Sequence, residues 1–307
     1  MNLFIIGNGF DLAHKLPTSY KHFHSYLKIM YPKALETSPS FNISSTLMPD
    51  GSEVYDDDEV VAFLMDVISK AEEDGDHWCN IEQSLGYLDF DDYLDDMSYL
   101  YDEDDENFNE WHMAYNHEDV SQNFYHVTIQ IKEFFSKWIN SIDISDVEVK
   151  PTLNDLIDAS NDYVINFNYT RVLEDIYGVE NVFHIHGEQN NEIIIGHGVE
   201  REDFENGYVG TEFSLAELHS SLRKDTSKII RANRSLFDSL GLVKKIYSHG
   251  FSFSEVDLPY IKEICSVLDT KDITWYLNNY DSIETRSRFI ESIKECGFKG
   301  DFAVFNI

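Results

Sequence analysis

The chain has 307 residues, 42% of them hydrophobic, and its 57 acidic against 23 basic residues give a formal net charge of −34. That length buries a sizeable core, as one domain with a large insertion or as two domains, while the charge disfavours direct contact with nucleic-acid phosphates. With no apolar run near the ~20 residues of a membrane span and only three scattered cysteines (Cys79, Cys265, Cys296), a cytoplasmic protein without a membrane partner is expected.

In chain order, the apolar strand Leu3–Ile6 breaks at Gly7-Asn8-Gly9 and passes through Phe10 and Asp11 into a helical pattern that ends at Leu16-Pro17. Such a strand–glycine–helix passage is how α/β proteins cradle a pyrophosphate. The first glycine permits a tight turn, and the second lets backbone N–H groups approach an anion. Alone the pair is weak, since most G-x-G sequences are ordinary turns.

Residues 20–150 read as a helical subdomain. Val60, Val61, Leu64, Val67 and Ile68 share one helical face, with Phe63 and Met65 at its flanks. Ile81, Leu85, Leu88, Tyr93 and Leu94 continue the pattern, and Phe124 to Trp138 forms an amphipathic helix. Asp50-Gly51-Ser52 and Asp102–Asn109 are the expected loops. Trp78 suits packing, whereas Glu82 suits either a surface acid or a ribose contact. From Asp50 to Asp119 there are 25 acidic residues and one basic residue, Lys70. The plain reading of blocks such as Asp56–Glu59 and Asp102–Glu106 is a solvated surface. A docking face for a basic partner, or a mimic of DNA, is the alternative. Charges beyond a Debye length of roughly 8 Å are screened, so the stretch does not bar an anionic ligand elsewhere.

Beyond residue 150, strands are expected near 163–167, 182–186, 192–196, 244–250, 272–276 and 301–306. Helices are expected near 170–177, 212–222, 228–239, 255–268 and 282–294. This alternation predicts a doubly wound, mostly parallel, Rossmann-like sheet from residues 1–19 and 151–307, with 20–150 as an acidic helical insertion. Asn168 and His186 then fall at the tips of neighbouring strands, and Gly250–Ser252 at a third, ahead of a helix opening near Asp257. Asn168 could equally cap the helix that follows it, and His186 could be a hydrogen-bonded structural histidine. His184, two residues away on the same strand face, could support His186 from behind. His197 and His249 also stand at strand ends, but no metal-ligand spacing accompanies the histidines and no metal is expected.

Four segments together resemble a known family. Gly7-Asn8-Gly9 through Leu16-Pro17 resembles the sirtuin-like pattern G-A-G-x-S-x-x-x-G-I-P in spacing. Asn168-Tyr169-Thr170 resembles the start of the N-x-D motif, His186-Gly187 the catalytic His-Gly, and Gly250-Phe251-Ser252 the later G-x-S. Within that superfamily they are most similar to the bacteriophage abortive-infection AbiH proteins. Asp11 stands where sirtuins have Ser, Lys15 at the third glycine and Thr170 at the acid, and the paired cysteines of the zinc ribbon are absent.

The resemblance therefore implies a sirtuin-like NAD hydrolase of anti-phage defence that cleaves the nicotinamide–ribose bond, not a zinc-dependent deacylase. It implies that Gly7, Asn8, Gly9 and Phe10 hold the pyrophosphate, and that Asp11 contacts ribose or begins its helix favourably. Asn168 would place the water or bind ribose hydroxyls, and His186 would act as base toward a ribose hydroxyl. Gly250, Ser252 and Asp257 would lie near the adenosine end. Two alternatives stay open: a non-catalytic sensor of NAD or ADP-ribose, and an acidic protein that captures a basic phage or host partner. Self-association is compatible with each.

Overall fold

The computed structural model describes residues 1–72, 75, 78–98, 109–204 and 207–306. The chain separates into two compact units: residues 1–19, 139–194 and 225–307 form one, and residues 20–138 and 195–224 the other. The boundaries differ from the expected 20–150 insertion in two places. Residues 139–150 belong with the sheet, because the buried Gln189 amide donates to the carbonyls of Ile139 and Ile142 at 2.8 and 2.9 Å. Residues 195–224 belong with the helices. The helix Glu212–Leu222 lies along the helix Glu110–Thr128, and Gly210 sits so close to it that an added Cβ would meet the Ala114 carbonyl oxygen at 2.7 Å.

Eight strands occur among the described residues: β1 (Asn2–Ile6), β2 (Ser45–Leu47), β3 (Glu53–Tyr55), β4 (Tyr163–Asn166), β5 (Val182–His184), β6 (Lys245–His249), β7 (Thr274–Asn278) and β8 (Asp301–Phe305). Six of them form one parallel sheet in the order β5-β4-β1-β6-β7-β8. Leu3, Phe4, Ile5 and Ile6 are all buried, as a central strand covered on both faces requires. From β1 the chain steps outward through β4 and β5, then starts again on the other side with β6, β7 and β8. This is the dinucleotide-fold order, and its reversal point lies between β1 and β6, where ligands of such sheets bind beyond the carboxyl ends of the strands. Tyr260 and Ile261 from the helix Leu258–Val267 pack with Trp275, Phe237 and Ile246 in the core beneath.

Two expected elements differ. Residues 192–196 form a loop: the Ile194 N–H bonds the His186 carbonyl and the Tyr169 hydroxyl bonds the Ile194 carbonyl, so the segment folds back on the His-Gly turn. Residues 228–239 form two helices, Thr226–Ala232 and Arg234–Ser239, separated at Asn233, whose side-chain amide turns back to the Ile229 carbonyl.

In the helical unit, the helix Asp57–Ala71 buries the expected face, and Phe63 is buried as well, within a cluster of Phe90, Tyr93 and Phe124 rings at 4.9–6.2 Å. Asp56 caps this helix, accepting from the Asp58 and Glu59 amides at 3.0 and 3.2 Å. The acids of Asp56–Glu59 are thus a helix start, favourable at the positive end of the dipole. The helical stretch expected over 124–138 breaks between Glu110–Thr128 and Ile131–Asn140. The pair β2 and β3 is a hairpin that the sequence pattern did not reveal, turning at the expected Asp50-Gly51-Ser52 loop with Gly51 at φ 87°. The block Asp102–Glu106 lies outside the described residues. No helix among the described residues is long and apolar enough to cross a membrane.

Candidate functional site

The site begins where β1 and β6 end side by side, Ile6 opposite His249. Past these residues the two backbones cross in direct contact. The Gly7 amide donates to the His249 carbonyl at 3.0 Å, the Gly9 amide to Gly250 at 2.9 Å and the Phe10 amide to Gly7 at 2.9 Å. A Cβ on Gly9 would lie 2.6 Å from the Gly250 Cα, and one on Gly250, at φ +67°, would lie 2.3 Å from the Phe10 nitrogen. The glycines are required by this backbone crossing. Three of the four amides expected to cradle a pyrophosphate are thereby committed inside the protein. Asn8 is exposed and donates its side-chain amide to the Thr18 carbonyl at 3.0 Å.

Immediately after the crossing, Asp11 turns inward and is 1% exposed. Its carboxylate accepts from Asn168 Nδ2 at 3.1 Å and from the Thr170 hydroxyl at 2.8 Å. Asn168 Nδ2 also donates to the Gly7 carbonyl at 3.1 Å, so both amide hydrogens hold the β1 and β4 ends together and Oδ1 is the end turned away from them. Burial pushes Asp11 up to about 7, against the Thr170 and Asn168 hydrogen bonds and the nearby His184, which pull it down. At neutral pH this carboxyl is therefore poised between its two protonation states.

The β5 side continues the network. His184 donates its Nδ1–H to the Asn168 carbonyl (2.8 Å) and meets Glu174 through Nε2 (2.7 Å). Burial opposes its protonation, but the Glu174 bond and charge prevail and hold it above the ordinary histidine range. Glu174, His184 and Glu188 bring donor atoms within 4.8 Å of one another. Arg171 bonds Glu188 and lies 4.0 Å from Glu174, so a protein cation already balances these acids.

His186 lies behind, buried edge-on to Phe167, with Nε2 3.2 Å from the Tyr260 hydroxyl and 3.7 Å from Asp257 Oδ1. Asp257 also accepts from the Ser254 hydroxyl at 3.0 Å. Of the expected site residues, the structure brings Gly7, Gly9, Phe10, Asp11, Asn168 and Gly250 into one contiguous cluster, and His186 with Asp257 into another. Ser252 is exposed, two residues past the crossing.

A model of the bacteriophage abortive infection AbiH family matches residues 3–279. The chain belongs to the AbiH family. The match starts in β1, ends just after β7 and includes both excursions into the helical unit, so AbiH membership covers the whole candidate site and implies a role in abortive infection of phage. No curated protein and no solved structure matches the chain.

One residue and one contact of the candidate site escaped the sequence reading. Tyr260 stands three positions after Asp257 at the start of a helix, a spacing that puts both on one face and could have been read. The Asp11–Thr170 contact joins residues 159 apart, and no local signal announces it. Glu82, read as a surface acid or ribose contact, is claimed within the helical unit by Lys224 at 2.7 Å. Trp78 is a packing residue, stacked on His24 at 4.3 Å with Nε1 bonded to Ser69.

Proposed function

We propose that the chain acts in abortive infection as a sirtuin-like NAD hydrolase that cleaves the nicotinamide–ribose bond. The observation that carries this reading is the buried Asp11–Thr170 contact. The sirtuin-like pattern has a hydroxyl after the glycine loop and an acid after the Asn. This chain has the acid at Asp11 and the hydroxyl at Thr170, hydrogen-bonded to each other, so the pair is retained with its members exchanged between the segments that follow β1 and β4. The departures at these two positions therefore offset each other.

Nicotinamide leaves as a neutral ring, and the bond breaks through an oxocarbenium-like transition state. The protein then needs an oriented ribose, a placed water and a proton acceptor. Asn168, its NH2 held by Gly7 and Asp11, presents Oδ1 to the water or a ribose hydroxyl. His186, flanked by Tyr260 and the Asp257 carboxylate, accepts the proton from a ribose hydroxyl. Asp11 is a positioning residue: it fixes Asn168 and Thr170. A cytoplasmic location fits this substrate.

Burial of Asn168 and His186 (4% and 3% exposed) favours a second reading, a nucleotide sensor that binds NAD or ADP-ribose without turnover. The acidic stretch favours a third, capture of a basic phage or host protein. Incubation with NAD and phage lysate, followed by detection of free nicotinamide, separates them. Nicotinamide release that is absent in Asn168→Ala supports hydrolysis, whereas tight binding without release supports the sensor.

A further inference from the structure

The crossing of β1 and β6 also holds a donor that this chemistry does not use. His249 is 7% exposed. Asn278 Oδ1 accepts the Tyr280 amide at 2.8 Å, which turns Asn278 Nδ2 toward His249 Nδ1 at 2.6 Å. An amide nitrogen only donates, so Nδ1 is the acceptor and the ring proton of the neutral imidazole sits on Nε2. That Nε2 is buried and has no hydrogen-bond partner among the described residues. Native proteins rarely keep a buried donor unmatched without a functional reason.

Its surroundings are aromatic, within the field of one lysine. The His249 ring stands edge-on to Phe10 at 5.8 Å, and Phe10 packs on His14 at 4.4 Å. His14 donates through Nδ1 to the Phe10 carbonyl (2.8 Å) and receives the Tyr177 hydroxyl on Nε2 (2.7 Å), while that hydroxyl accepts the Lys150 amide at 2.8 Å. Burial holds both histidines low, His249 at about 4; the Phe10 hydrogen bond opposes it in His14, and the positive charge of Lys150 adds to it in both. A buried neutral N–H within the field of a lysine suits an anionic acceptor, and in this sheet order the reversal point is where a dinucleotide's phosphates pass.

We propose that the Nε2–H of His249, backed by the Lys150 ammonium, donates to a phosphate oxygen of the bound nucleotide. It takes the part of the amides that the glycine crossing has used. The assignment rests on the nucleotide reading above and adds a subsite to it.

The test uses the full chain with 15N-labelled histidine. NMR should show the Nε2–H tautomer for His249, and its proton should move downfield on addition of ADP-ribose but not of adenosine. By calorimetry, His249→Phe should weaken ADP-ribose about tenfold or more and leave adenosine unchanged, and Lys150→Met should weaken it less and lose its effect at high salt. If the native chain binds ADP-ribose while both variants bind equally well, His249 serves only the Phe10 ring and the assignment is overturned, with the nucleotide reading intact. If the native chain binds neither ADP-ribose nor adenosine, both fall. Inorganic phosphate binding as tightly as ADP-ribose would reassign the site to a free anion and overturn the nucleotide version. Should His249→Phe fail to fold, the NMR titration and Lys150→Met decide.

Discussion

Each of the two units buries a charged side chain, and they treat it in opposite ways. In the helical unit, Lys224, whose side chain is 0% exposed, meets Glu82 directly at 2.7 Å, joining the 195–224 segment to the long insertion. In the sheet unit, Asp11 is equally buried but is held by an amide and a hydroxyl, with no cation bonded to it among the described residues. A paired charge fixes geometry, and an unpaired one stays sensitive to protons near neutrality. The difference separates a structural clasp from a group suited to chemistry.

The strongest way to break this comparison is at the clasp. Lys224→Met leaves Glu82 buried without its cation and should destabilise by about 3–5 kcal/mol, whereas the double variant Lys224→Met/Glu82→Leu should recover most of that loss. Urea unfolding measures both, and a near-zero cost for the single variant would show the pair to be no clasp.

Asp11 should answer to pH instead. Its folded value of about 7 lies above the ordinary 3.8, so the native state holds an extra proton between those values. Stability from this group is fully present below about pH 3.8 and is lost as pH rises through 7, at up to about 1.4 kcal/mol per pH unit. The native chain minus Asp11→Asn should show that slope in thermal melts, since Asn cannot ionise. Parallel curves across pH 4–7 would mean that Asp11 is ionised throughout.

Catalysis sharpens the same contrast. If the chain hydrolyses NAD as proposed, replacing His186 or Asn168 with Ala should lower that hydrolysis by roughly 10²-fold or more with the circular dichroism spectrum unchanged, while the double clasp variant keeps it. Full activity in His186→Ala would remove it from the mechanism. The smallest effect is expected at the acidic helix start: Asp56→Ala removes the cap and should cost about 1 kcal/mol. A gain in stability there would mean that charge repulsion outweighs capping.

The parallel sheet was legible because its strands are short, apolar and interrupted by polar tips: Leu3–Ile6, Tyr163–Asn166 and Lys245–His249 stand where the pattern puts them. The helix Glu212–Leu222 was equally clear, but its allegiance was not, since periodicity reports a buried face without naming what covers it. Residues 192–196 misled because Ile193-Ile194-Ile195 has strand composition, yet its hydrogen bonds go to the His-Gly turn. At the site, the sequence marked Asn168, His186 and the glycines. It could not show that His249, Gly250 and Gly7 carbonyls take up the loop amides, or that the acid missing at Thr170 stands opposite at Asp11. Both facts depend on residues far apart in the chain meeting at one end of the sheet.

The position of β1 also bears on how the protein is made. It is synthesised before both of its neighbours, which begin at Tyr163 and Lys245. At ~5–20 residues per second, the second neighbour leaves the ribosome roughly 10–50 s after β1. Until then the apolar run Leu3–Ile6 waits without its sheet, a delay that invites chaperone binding. The glycine crossing and everything built on it cannot form before β6 is made. A nascent or truncated chain ending before residue 245 therefore lacks the assembled site.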